Sequence, residues 1–288
     1  MKRLIAIILL IPVVFGVLFA IDFLTGYTIH SNVSYDENNL MDVYMPKNAG
    51  EKCGAVIFIH GGSWSSGDKS EEDVRCRILA NAGYIAATIN YTLLSEDNKA
   101  EYTVDIVLDE IEAAILSLKS FAKERGVSVE KVGLSGYSAG AHLAMLSSYS
   151  RQDRPPVEIA FTSSMAGPCD ISPEVWGDHS ASVIGGWLGG IEIDETNPGS
   201  EEAREILAKI SPITYVDENT PPTMFIHGGR DNVVPLSNAE NLAARLSENG
   251  VSHDFTYLPS SDHSLLQNPI KHLQYYLMLI DYADRYLA

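Results

Sequence analysis

The sequence predicts a doubly wound α/β domain built on a mostly parallel sheet. Three observations carry that expectation. Short apolar runs end abruptly at turn residues, as strands buried on both faces do. Segments of helical periodicity separate them. Candidate reactive side chains fall just after the strand-like runs, where sheets of this kind place their ligands.

Residues 1–25 stand apart from that domain. Lys2 and Arg3 precede an apolar run from Leu4 to Ile21 with no charge before Asp22. Such a run lies between a long signal-peptide core and a short membrane span. Leu18 disturbs a small-x-small cleavage site ahead of Ala20, and no cysteine nearby could carry a lipid. An uncleaved anchor, a cleaved signal peptide and a core helix therefore stay open. The first two export the body of the chain, as a secreted protein or an extracytoplasmic domain attached to the membrane through residues 4–21.

The domain is expected over 26–288. "YTIHSNVSY" and "NLMDVYMP" read as an antiparallel hairpin around the polar turn Asp36–Asn39. The later strands are expected at "AVIFIH", "YIAATIN", "KVGLSG", "IAFTSSM", "TMFIHG" and "DFTYLP". Between them, Val104, Val107, Ile111, Ala114, Ile115, Leu118 and Phe121 form one helical stripe ending at Gly126. Leu242 and Leu246 form a second stripe closed by Gly250. Ile270, Leu273, Leu277 and Ile280 are expected to face the core from a C-terminal helix. The stretch 167–209 breaks the rhythm and is too long for a connector. It is expected to be an inserted cap or lid over the strand ends.

The chain has 288 residues, 45% apolar and 20% charged, which suits one large domain or two small ones. Its net charge of −18 and lack of a basic patch argue against a nucleic-acid partner. The acidity also disfavours strongly anionic substrates. Cys53, Cys76 and Cys169 form no C-x-x-C and no zinc pattern; one disulfide stays open, but the odd count argues against a disulfide-built fold and favours buried thiols. No H-E-x-x-H or clustered His/Asp set appears, so the sequence calls for no metal and no cofactor.

The chemistry is concentrated in four loops. After "KVGLSG" comes Tyr137-Ser138-Ala139-Gly140 and then a helical segment. Strand, sharp turn and helix give G-x-S-x-G its meaning, because the turn projects the serine while small residues let helix and strand approach. Ser138 is the candidate nucleophile, and Ser135 lies on the strand. A serine hydroxyl needs a base, and the base needs a carboxylate to fix its tautomer. Asp231 and His263 follow later strands, in the order nucleophile, acid, base. Asp262 adjoins His263 but is a poorer acid, since consecutive loop residues seldom turn their side chains to one another. After "AVIFIH", the Gly61-Gly62 pair leaves backbone N–H groups bare. Gly62, Ser63 and Ala139 are the expected oxyanion donors. His60 and His227 read as loop scaffold, and His142 as a packing or capping residue of the helix. His179, His253 and His272 read as surface residues.

With "HGGSW", "NYTLL", "GYSAGAHLA", "GPCD", "SPITYV", "PPTMFIHGGRDNVVP" and "SDHSLL" in this order, the chain resembles the α/β-hydrolase superfamily over residues 28–287. Within it, the chain is similar to carboxylesterases related to hormone-sensitive lipases and to acetyl- and feruloyl-esterase-like enzymes. Ser63 and Tyr137 stand where those lipases usually carry Gly and Asp. That shifts the likeness toward esterases of acylated sugars and arylformamidases. The resemblance implies a serine hydrolase of carboxylic esters acting through an acyl-enzyme. Amide hydrolysis by the same residues and a non-catalytic binding protein remain open, as do acyl-chain length, the alcohol moiety and oligomeric state.

Overall fold

The computed structural model describes residues 26–51, 53–151, 157–190 and 200–287. The apolar run at 4–21 lies outside the described residues, and no described helix is long and apolar enough to cross a membrane. The chain opens with strands β1 (Tyr27–Ser34) and β2 (Leu40–Pro46), then β3 (Ala55–Ile59), helix α1 (Asp73–Asn81) and β4 (Ile85–Ile89). Helix α2 (Val104–Lys123), β5 (Lys131–Tyr137), α3 (Ala139–Ser150) and β6 (Glu158–Met165) follow. Next come α4 (Pro173–Trp176), α5 (Asp178–Gly189) and α6 (Glu201–Lys209). The chain closes with β7 (Thr223–Gly228), α7 (Ser237–Glu248), β8 (His253–Leu258) and α8 (Pro269–Tyr286).

The strands form one sheet in the order β1-β2-β4-β3-β5-β6-β7-β8. β2 is antiparallel to both of its neighbours, and every other pair is parallel. The expected hairpin is therefore present, with only β2 running against the rest. Its turn is held by the Asp36 carboxylate, which accepts from the N–H groups of Asn38 and Asn39 at 2.7 and 2.6 Å.

Alternation along β3 shows why the central strands are apolar throughout. Ile57 and Ile59 join the core on one face, and Val56 and Phe58 join the core on the other. The first face is covered by α2, whose predicted stripe is buried at every position from Val104 to Phe121. Each such aliphatic side chain contributes about 1.5–3 kcal/mol on burial. Gly126, at φ +79°, ends the segment in the left-handed region that glycine tolerates. The opposite face is covered by α1 and α8. Helix α7 buries Leu242 and Leu246 in a third cluster with Phe225, as their spacing predicts.

The C-terminal helix departs from expectation. Ile270, Leu273 and Leu277 are 67%, 44% and 58% exposed, while Tyr275, Leu279, Tyr282 and Ala283 face the core. Both sets have helical spacing, so periodicity does not choose between them. The aromatic face wins because it buries more area and its hydroxyls find partners. The Tyr275 hydroxyl bonds Ser163 Oγ at 2.8 Å, and the Tyr282 hydroxyl donates to Asp254 at 2.8 Å. Two histidines read as surface residues are also partly buried. His272 stacks on Tyr276 at 5.0 Å, and burial lowers its pKa. His253 stacks on Phe225.

The stretch 167–209 holds three helices, with residues 191–199 outside the described set. α5 and α6 bury Ile184, Leu188, Ile206 and Leu207 in the first core cluster. Ser200 caps α6 by accepting from the Ala203 N–H at 3.2 Å. The three thiols are unpaired, with Cys76 and Cys169 buried and Cys53 partly so.

Candidate active site

The strand order reverses between β3 and β5. β4 lies on one side of β3 and β5 on the other, so the loops leaving β3 and β5 diverge and open a crevice. Ile59 pairs with Gly136 at the ends of these strands. The register thus sets the His60–Trp64 loop beside the Ser138 turn.

Ser138 occupies φ 53°, ψ −120°, a conformation that L-residues seldom adopt. Its N–H donates to the Met165 carbonyl at 2.8 Å, and its carbonyl accepts from the His142 N–H at 3.1 Å. Close packing keeps the turn in this shape. A β-carbon on Gly140 would meet the Ile59 carbonyl oxygen at 2.0 Å, and one on Gly136 would meet the Gly140 carbonyl carbon at 2.3 Å. Only glycine fits either position. Ser135, on the strand, is buried and hydrogen-bonded to Ser163 Oγ at 3.1 Å.

The structure brings Ser138, His263 and Asp231 into one hydrogen-bonded row. Ser138 Oγ lies 2.9 Å from His263 Nε2, and His263 Nδ1 lies 2.7 Å from Asp231 Oδ2. With an ionised carboxylate at Nδ1, the Nδ1–H donates to Asp231, and Nε2 is free to accept from the hydroxyl. The Asp231 side chain is fully buried, whereas the His263 side chain retains 17% exposure. Burial alone would raise the Asp231 pKa. Hydrogen bonds from His263 and from the N–H groups of Val234 and Val233 outweigh it and hold the carboxyl below its usual range. Both N–H donors reach Oδ1 at 2.9 Å, which fixes the carboxylate's orientation. They belong to the turn that "GRDNVVP" forms, and an Asp bonding its own backbone two residues on is the signal that could have found them. Asp262 is engaged elsewhere, with its carboxylate accepting from Ser264 N–H at 2.9 Å and Ser264 Oγ at 2.7 Å.

The loop after β3 carries three consecutive residues of positive φ: Gly62 at 109°, Ser63 at 51° and Trp64 at 59°. The surroundings hold it there. The Gly62 carbonyl accepts from the N–H groups of Ser65 and Ser66 at 3.1 and 3.0 Å. Tyr91 donates to the His60 carbonyl at 3.1 Å and stacks on the His60 ring at 4.4 Å. Leu94 N–H donates to the Trp64 carbonyl at 2.8 Å, so "NYTLL" braces the loop from outside. A β-carbon on Gly61 would lie 3.3 Å from Ser138 Cβ, which shows how closely the loop abuts the serine. Among the described residues, no protein acceptor engages the N–H groups of Gly62, Ser63 or Ala139. His142 and His227 fill structural positions: His142 is buried in α3, and His227 donates Nε2–H to the Val234 carbonyl at 3.0 Å.

A cavity of about 630 Å³ opens beside α4 and α6, lined by Asp170, Glu174, Asp178, Arg204 and Thr214 among others. None of Ser138, Asp231 and His263 lines it. Among the described residues, no group of three or more His, Cys, Asp or Glu side chains is placed to hold a metal ion.

The model of the BD-FAE family matches residues 41–246, a span that includes the β3 loop, the serine turn and Asp231. The chain belongs to the BD-FAE family. Membership agrees with the likeness to the α/β-hydrolase carboxylesterase group read from the motifs. Esterase LipC of Mycobacterium tuberculosis is 25% identical over 237 residues, covering 79% of this chain and 57% of its own length. The chain thus spans a little over half the length of the curated relatives it matches. A truncated carbohydrate esterase from gut microbiota superposes with a TM-score of 0.75 at 21% identity, over 91% of this chain and 97% of that one. Esterase B from Lactobacillus rhamnosis, inhibited in its crystal, gives 0.70 at 20% identity over 97% and 96% of the two chains. These superpositions show the α/β-hydrolase fold for this BD-FAE member.

Proposed function

We propose that the chain is a serine hydrolase of carboxylic esters. The row from Ser138 Oγ through His263 to Asp231, at 2.9 and 2.7 Å and set at a strained turn, carries the reading. Ser138 Oγ attacks the ester carbonyl as His263 Nε2 takes its proton, and Asp231 stabilises the imidazolium. The N–H groups of Gly62, Ser63 and Ala139 receive the oxyanion, each worth roughly 3 kcal/mol to the transition state. His263 then protonates the departing alcohol, leaving an acyl-serine. Water, deprotonated by the same imidazole, attacks the acyl carbon, and the proton returns to Ser138 as the acid leaves. Every step is assigned to side chains and main-chain N–H groups of this chain.

The reading extends to substrate and place. Similarity to an esterase, LipC, favours esters over amides. The fold shared with a carbohydrate esterase, and the apolar run at 4–21, support an acyl group on an exported or cell-surface carbohydrate. The helices of 167–209 are assigned as a cap that shapes access to Ser138. A fluorophosphonate probe tests the core of the reading. Wild type and Ser135→Ala should label and Ser138→Ala should not. Labelling that survives Ser138→Ala sinks the assignment. Short p-nitrophenyl esters set against formanilides then decide the bond cleaved, with ester turnover expected to dominate.

A further inference from the structure

Tyr137 precedes the serine of the turn, and its side chain reaches the loop that carries His263. Its hydroxyl donates to the His263 main-chain carbonyl at 2.9 Å, joining segments 126 residues apart. Its ring lies 5.3 Å from the imidazole, tilted by 39°. On another side the Arg75 guanidinium carbon sits 5.7 Å from the ring centroid. Arg75 is ion-paired with Glu72, whose side chain is 2% exposed, so the cation backing the ring is itself anchored. A β-carbon on Gly61 would lie 3.0 Å from Tyr137 Cδ1, so the ring also borders the β3 loop.

The segment bearing His263 needs such an anchor. Ser264, Leu266 and Gln267 are exposed, and Leu265 takes a positive φ of 62°. The Asp262 carboxylate is spent on Ser264. Among the described residues, the Tyr137 hydroxyl is the one side-chain donor to the peptide of His263 itself. A serine base must keep Nε2 on the hydroxyl and Nδ1 on the acid together, and a shift of about 1 Å can cost about a hundredfold in rate.

We propose that Tyr137 is a positioning residue for His263, its hydroxyl fixing the main chain of the base from the same turn that presents the nucleophile. This inference rests on the reading of Ser138 and His263 as nucleophile and base. It gives a role to the residue that stands where lipases of the related group usually carry Asp. Burial, with Asp231 nearby, pushes the Tyr137 hydroxyl up to about 12, so it remains a donor across neutral pH.

Tyr137→Phe keeps the ring and deletes only the hydroxyl. In the full chain, kcat on p-nitrophenyl acetate should fall about 10- to 100-fold, with KM within about twofold and the melting temperature within about 2 °C. The rate of fluorophosphonate labelling should fall in parallel. Proton NMR of the resting protein gives a readout independent of any substrate. The downfield Nδ1–H resonance of His263, assigned by its loss in His263→Gln, should shift or broaden in Tyr137→Phe. Unchanged kcat together with an unchanged resonance overturns the proposal. So does a kcat loss matched by a melting-temperature drop beyond about 5 °C, since the hydroxyl would then serve stability. If wild type neither hydrolyses esters nor labels, the hydrolase reading fails, and the resonance alone decides whether Tyr137 holds His263.

Discussion

Trp64 donates its indole N–H to Nδ1 of His142 at 3.3 Å, and His142 Nε2 donates to the Ile210 carbonyl at 2.7 Å. One neutral imidazole thus ties the β3 loop to α3 and to the residue that follows α6. Burial holds the His142 pKa at about 4, because a charged ring would be stranded among apolar groups.

That linkage predicts a pH dependence of stability. The unfolded ring gains its proton near 6.5, and the folded ring only near 4. Between these values the unfolded state binds more protons, so stability falls as pH drops through the window, by roughly 3 kcal/mol at most. His142→Gln should be less stable than wild type at pH 7, since Trp64 and Ile210 lose their fitted partner. The gap should narrow by pH 4.5. Urea unfolding at both pH values measures it, and a gap independent of pH would show that the folded imidazole is not held neutral.

The acid of the proposed site can be told apart from its neighbour. Asp231→Asn should lower kcat on p-nitrophenyl acetate by about four orders of magnitude, as loss of the tautomer-fixing carboxylate does in comparable sites. Asp262→Asn should leave it within about threefold, because that carboxylate bonds Ser264 and not the imidazole. Steady-state kinetics on the two variants decides the matter, and the reverse ranking would make Asp262 the acid.

The orientation of α8 predicts an asymmetry in stability. Leu273→Ser and Leu277→Ser should each change unfolding free energy by about 0.5 kcal/mol or less, as exposed positions do. Leu279→Ala should cost about 2–5 kcal/mol, because it opens a cavity between helix and sheet. Chemical denaturation of the three variants reads the difference. Comparable losses at Leu277 and Leu279 would mean that both faces are covered in solution.

The central strands are legible because they are short apolar runs closed by a turn residue, and the α2 stripe because seven positions repeat on one face. Ser138, Asp231 and His263 could be named for a similar reason: each follows a strand, and the fold brings strand ends to one edge. Helix α1 is not legible in the sequence, since "DVRCRILAN" is too polar and too short for its period to stand out. The buried face of α8 is not legible, because two stripes share the helical period, and the buried area together with the hydroxyl partners offered by Ser163 and Asp254 decides between them.

By itself, then, the sequence determined the class of fold, the order of its strands along the chain and the residues of the proposed nucleophile, base and acid. Those properties are local, set by periodicity, turn chemistry and spacing. Tertiary structure alone decided that Tyr137 reaches the His263 carbonyl and that His142 joins Trp64 to Ile210. Each of these is a contact between segments far apart in the chain. Their directions depend on φ, ψ and side-chain rotamers that no local pattern encodes.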